Sequence, residues 1–241
     1  MAQALTVESI TTIFLTGFIP PLLWLWFWLR EAPHHESRKS LFTSFILGIA
    51  VVPFVLLAEY LWFRAVEFSG LPIPKNFNSL WLIIPWAFAE EAAKFAVAWW
   101  ADLRRSIYYD EPVDAIIYLI TVALGFAAME NVLFLNKVTT GGAGIFALIQ
   151  TADLRFIGAT ILHTVSSGII GVSIAFTFFH REHHIRNIWG GIILATVLHT
   201  AFNKFIIGAG GSEAVFKTFF GLWTLALILI FFFEKVKRIK N

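Results

Sequence analysis

The chain has 241 residues, 58% hydrophobic and only 14% charged, with a net charge of +2. A soluble domain carries more charge, so the sequence reads as an integral membrane protein with no room for a large soluble domain and no basis for nucleic-acid binding. It has no cysteine, which excludes disulfides, thiolate metal sites, a Cys nucleophile and covalent c-type haem.

A membrane span needs about 20 mostly apolar residues, and seven such runs follow one another. The first covers roughly Ser9 to Leu29, and Trp24, Trp26 and Trp28 at its end resemble an interfacial aromatic belt. It lacks the basic leader and small-residue cleavage site of a signal peptide, so it reads as a retained span. The polar loop Arg30 to Ser40 leads to span two, roughly Leu41 to Phe63, with Pro53 inside and Glu59 near its end. Arg64 to Ser79 is an irregular connection containing Pro72 and Pro74. Span three runs from Leu80 to Ala101 and contains Glu90, Glu91 and Lys94. The loop Asp102 to Pro112 precedes span four, roughly Val113 to Leu135. Asn136 to Thr151 is Gly-rich, with Gly141, Gly142 and Gly144, and reads as a loop. Span five runs roughly from Leu154 to Phe179, and His180 to Asn187 is a polar turn. Span six runs roughly from Ile188 to Ile207, and span seven roughly from Val215 to Phe233. The tail is basic. The expected fold is all-α, a polytopic transmembrane helix bundle forming one domain over residues 1–241.

Lysine and arginine set the orientation through the positive-inside rule. One set of segments holds Arg30, Arg38, Lys39, Arg104, Arg105, Arg181, Arg186, Lys235, Lys237, Arg238 and Lys240; the other holds Arg64, Lys75, Lys137, Arg155, Lys204 and Lys217. The richer set is predicted to be cytoplasmic. That places the N-terminus outside and the C-terminus in the cytoplasm.

A charged side chain at the bilayer centre costs ~2.5–3.5 kcal/mol or more, and such residues are functional candidates by default. Lys94 follows Glu90 by four residues and Glu91 by three, so the three share a helix sector and partly neutralise one another. One carboxylate is left over, and it needs a proton, a metal, water or partners from other helices. At ~1.5 Å per residue, Glu90, Glu130, His163 and His199 all fall ~8–15 Å below the outer surface. Spans three to six are therefore predicted to converge on one polar site in the outer half of the membrane, within about residues 80–207. Asn131 follows Glu130 directly, and Asn203 lies four residues after His199, on the same helix face. Ser167 and Gly171 form a small-xxx-small pattern that lets helices approach closely. Pro85, about a turn before Glu90, is expected to open a water pocket by removing a backbone hydrogen bond.

Other polar residues have blander readings. Glu59 reads as an interfacial or structural acid. His34, His35, His180, His183 and His184 read as solvated or headgroup-facing loop residues. Ser166 and Ser167 lie near His163, but no nucleophile-elbow motif accompanies them.

Taken in order, Glu90-Glu91-x-x-Lys94, Phe126-x-x-x-Glu130-Asn131, His163 among Ser and Gly, and His199-x-x-x-Asn203 resemble the PrsW family of intramembrane proteases. The resemblance covers spans three to six, about half the chain. That family is distantly similar to the CAAX-type membrane endopeptidases, from which this pattern departs because Glu130 stands where those enzymes have a His. The resemblance implies a protease of a prokaryotic cell membrane, acting on membrane-anchored proteins or peptides within the lipid bilayer. An anti-sigma factor is one such substrate in some bacteria.

Peptide hydrolysis needs an activated water, a stabilised oxyanion and a proton for the leaving amine. In metal-free glutamate chemistry, Glu91 or Glu90 is the general base and Lys94 holds the other. His163 orients the water or serves as second base, while His199 and Asn203 donate to the oxyanion. In the metal version, His163, His199 and a carboxylate, Glu130 or Glu90, hold a single zinc ion, and Glu91 deprotonates its water. Two alternatives from other classes use the same residues. One is a proton-coupled transporter or channel built on the buried acids, Lys94 and the histidines. The other is a b-type haem protein with His163 and His199 as axial ligands, against which the carboxylates at the same depth count.

Overall fold

The computed structural model describes residues 7–32, 36–75, 77–104, 107, 109–141 and 154–239. Seven long α-helices follow in chain order: α1 Val7–Glu31, α2 Arg38–Phe68, α3 Leu80–Ala98, α4 Asp114–Thr140, α5 Thr160–Ala175, α6 His184–Ile207 and α7 Ser212–Val236. A π turn, Trp99–Leu103, prolongs α3, and another, Arg155–Ala159, leads into α5. No strand occurs among the described residues, so the all-α helix bundle is as expected. Six of the helices are long and apolar enough to cross a membrane, α5 being counted with its π turn. The seventh, α3, has 19 residues, enough for ~28 Å. It is set apart by Glu90, Glu91 and Lys94, all buried inside the protein.

Several helices outrun their apolar stretches. α2 continues to Phe68, α4 to Thr140, and α6 already starts at His184. Asn136 to Thr140 are therefore helical rather than loop. Hydrophobicity marks the hydrocarbon layer, whereas helical hydrogen bonds continue into the interface. The Thr139 and Thr140 hydroxyls donate back to the carbonyls of Leu135 and Asn136 at 3.0 and 2.9 Å. Gly142 and Gly144, like His34 and His35, lie outside the described residues.

α4 is the axis of the bundle. Every residue from Asp114 to Ala128 is buried, with α1, α2, α3 and α5 packed around it. Glycines make the close crossings possible. A Cβ on Gly125 would stand 2.1 Å from the Phe45 carbonyl oxygen of α2, and one on Gly48 would stand 2.2 Å from that of Val122. In lipid, where helices gain no hydrophobic advantage from meeting, such backbone contact supplies the packing energy. α6 packs on α3 and α5, and α7 lies outermost. Only Leu222, Ala226, Leu229, Phe233 and Val236 of α7 are buried.

Pro85 does not break α3. It leaves the Trp81 carbonyl without its usual helical donor, and the indole of Trp62 on α2 donates to that oxygen at 2.7 Å. The backbone group expected to meet water at Pro85 is thus met by a side chain from the next helix.

Candidate active site

The helical repeat puts Glu91 and Lys94 on one face of α3. Lys94 Nζ donates to Glu91 Oε1 at 2.6 Å, with both side chains fully buried. An ionised carboxylate in that position is tolerable only with further donors, and three reach it from neighbouring helices. Ser166 of α5 donates to Oε1 at 2.9 Å, and Ser167 donates to Oε2 at 3.4 Å. Nδ1 of His199, from α6, lies 2.7 Å from Oε1. Glu91 therefore ties α3, α5 and α6 together.

The hydrogen bonds orient both imidazoles. A carboxylate only accepts, so His199 carries a proton on Nδ1 and turns Nε2 toward Glu90. Lys94 Nζ lies 3.1 Å from His163 Nδ1, and an ammonium only donates. His163 is therefore bare at Nδ1 and donates from Nε2 to Glu130 Oε2, 2.8 Å away. The two rings stand edge to face with centroids 5.4 Å apart.

Glu90 sits between them. Its Oε2 lies 3.8 Å from His163 Nδ1 and 3.8 Å from His199 Nε2, and this buried oxygen has no hydrogen-bond partner. One ligand atom each from Glu90, His163 and His199 lies within 4.8 Å of the others. Two imidazoles and a carboxylate suit zinc. Each imidazole also has a carboxylate behind its other nitrogen, Glu91 for His199 and Glu130 for His163, the usual outer support of a metal ligand. Lys94 shares the Nδ1 lone pair of His163, so a bound metal requires that contact to open while Lys94 stays with Glu91.

Glu90, Glu130, His163 and His199, predicted from one shared depth, are thus brought into one cluster with Glu91 and Lys94. Of the two carboxylates weighed as third ligand, Glu90 stands in the triad. Glu130 stands behind His163. Asn203 makes no hydrogen bond to any of these side chains and lies half-buried one turn beyond His199. Asn131 points to a neighbouring brace, donating to Thr160 Oγ1 at 3.3 Å and to the Gly17 carbonyl at 3.4 Å. His180 and His183 are exposed, far along the chain from this cluster.

Four side chains were not foreseen in the roles they take. Ser166 and Ser167 serve Glu91 rather than act as nucleophiles. Arg155 pairs with Glu130 at 2.8 Å. Glu59, read as an interfacial acid, turns its carboxyl toward Glu90 and Glu130, while its backbone carbonyl accepts from the Trp86 indole at 3.1 Å. The depth rule contained that signal, because Glu59 lies about as far from the end of its apolar run as Glu130 does from its own. Four carboxyl side chains, Glu59, Glu90, Glu91 and Glu130, thus gather near two basic ones, Lys94 and Arg155. The imbalance suits a divalent cation.

Fold and site together are those of a membrane-embedded hydrolase. The chain belongs to the PrsW family, described as intramembrane metalloproteases, whose family model matches residues 36–233. It is similar to Protease PrsW of Geobacillus kaustophilus, 24% identical over 202 residues, covering 84% of this chain and 80% of that protein. Protease PrsW of Bacillus subtilis is 29% identical over 151 residues, 61% of this chain and 64% of that protein. The Shouchella clausii protein of the same name is 22% identical over 228 residues, 94% of this chain and 98% of its own length. No solved structure matches the chain significantly.

Proposed function

We propose that this chain is an endopeptidase that hydrolyses peptide bonds of membrane-associated proteins at the Glu90, His163 and His199 cluster. The observation that carries this reading is the buried, unpartnered Glu90 Oε2 facing His163 Nδ1 and His199 Nε2, each at 3.8 Å. A zinc ion held by these three residues would polarise the scissile carbonyl and supply a nucleophilic water at neutral pH.

The remaining side chains have separable tasks. Glu91 accepts from Lys94, Ser166, Ser167 and His199, so it is a positioning residue for His199 rather than the general base. Glu130 uses Oε2 for both His163 and Arg155. It is therefore a positioning residue for His163, standing behind the ring as the carboxylate that orients its Nδ1 toward Glu90. Lys94 donates toward the developing oxyanion from beside His163. One observation favours a second, metal-free reading: Lys94 Nζ already occupies the lone pair of His163 Nδ1 at 3.1 Å. In that version Glu90 Oε2 takes the proton from water directly.

The Lys and Arg distribution supports an N-terminus outside, a C-terminus in the cytoplasm and a site in the outer half of a prokaryotic cell membrane. Membrane-anchored regulators, including anti-sigma factors by family resemblance, are the substrate class to test first. The deciding experiment measures metal per chain in purified, active protein and activity after chelation. One zinc equivalent, with activity lost on chelation and restored by zinc, is expected. Full activity without metal selects the glutamate version, and proton or solute movement without cleavage of any tested substrate overturns the peptidase reading.

A further inference from the structure

Arg155 stands at the first residue of the π turn Arg155–Ala159 leading into α5. At the edge of an apolar run, an arginine ordinarily extends toward the interface and water. This one does not: its side chain is only 12% exposed. Its direction therefore has to come from specific partners.

Those partners lie along one face of α4. Arg155 Nη2 donates to Glu130 Oε2 at 2.8 Å, and Nε donates to Asn131 Oδ1 at 2.6 Å. The guanidinium also lies over the Phe134 ring, 4.7 Å from its centroid. Asn131 in turn donates to Thr160, at the start of α5, closing a loop between the two helices. Glu130 Oε2 is the atom that also accepts from His163 Nε2. The Glu130 side chain is only partly enclosed, at 32% exposure, so burial alone does not stop it turning away and releasing the imidazole.

We propose that Arg155 is a positioning residue that, by holding Glu130 against His163 Nε2, keeps the bare Nδ1 of that ring turned toward Glu90; the role rests on the peptidase reading of the site. Arginine suits it because its planar fork reaches two acceptors at once, which a lysine ammonium does not reproduce.

The test compares wild-type protein with Arg155→Gln, Glu130→Gln, the double variant and Arg155→Lys, using zinc alone as the probe. Outer-shell losses weaken metal affinity by about 10- to 100-fold. Arg155→Gln is expected to do so, and the double variant to bind no more weakly than Glu130→Gln, since both act along one path. Arg155→Lys should fold and recover part of the affinity. Wild-type affinity in Arg155→Gln, or additive losses in the double variant, overturns the proposal. If wild-type protein cleaves substrate without metal, the same four variants are read in kcat and KM. Arg155→Gln should then lower kcat with KM unchanged and without additivity, and additive losses again overturn the role. If wild-type protein neither binds zinc nor cleaves, the peptidase reading has failed. The brace is then read by NMR of ¹⁵N-histidine-labelled protein in detergent. The hydrogen-bonded Nε2–H of His163, identified by its loss in His163→Ala, should shift upfield in Arg155→Gln. No shift overturns the proposal.

Discussion

Replacing Lys94 by Met removes an ammonium from the interior while keeping similar length. In the folded protein that ammonium donates to Glu91 at 2.6 Å, approaches His163 Nδ1 at 3.1 Å and lies 5.3 Å from the centre of the Phe126 ring. Breaking a buried ion pair by removing one partner costs about 3–5 kcal/mol. Glu91 keeps its bonds from Ser166, Ser167 and His199, each worth roughly 0.5–1.5 kcal/mol net, so the loss should sit near the lower end. For a chain of this size, ~3 kcal/mol corresponds to a fall in Tm of roughly 6–12 °C. Thermal unfolding in detergent, followed by tryptophan fluorescence, reads this directly. Combining Lys94→Met with Glu91→Gln removes both charges and should restore more than half of the lost stability. A Lys94→Met protein melting within about 2 °C of wild type, or a double variant no more stable than the single one, would refute the account of this pair.

Two further outcomes follow from the helix packing. Gly125→Val places a side chain where a Cβ would already stand 2.1 Å from the Phe45 carbonyl oxygen. It should destabilise the bundle by at least the ~1–3 kcal/mol typical of overpacking, and a wild-type melting curve would show that α2 and α4 do not cross there. Trp62→Phe removes the donor to the Trp81 carbonyl that Pro85 leaves free. A loss of about 0.5–1.5 kcal/mol is expected, and Pro85→Ala in the same protein should recover it by restoring the helical donor; failure to recover would contradict the pairing.

The spans were legible because lipid leaves the chain little choice. About 20 apolar residues are needed to cross, and Glu90, Glu91, Lys94, Glu130, His163 and His199 stand out against them. The common depth of Glu90, Glu130, His163 and His199, taken from rise per residue, was enough to foresee one cluster. Depth does not fix rotation about a helix axis, however. It left Glu90 and Glu130 equivalent as third ligand, whereas rotation turns Glu90 into the triad and Glu130 behind His163. The same limit applies to Asn203, which shares a face with His199 but lies a full turn beyond the narrow site. Arg155 was hidden for another reason. At the margin of an apolar run an arginine looks interfacial, and only the folded contacts reveal that it turns inward to α4. Helix ends were missed where polar residues such as Thr139 and Thr140 continue the helix past the hydrocarbon.

The central claim is that Glu90 belongs to a hydrolytic centre. The most direct measurement is cleavage of a membrane-anchored substrate by purified protein in liposomes, wild type against Glu90→Gln, with product termini read by mass spectrometry. Wild-type protein should cleave, and the folded Glu90→Gln protein should lose at least about 100-fold in rate. Cleavage by Glu90→Gln at the wild-type rate would contradict the site.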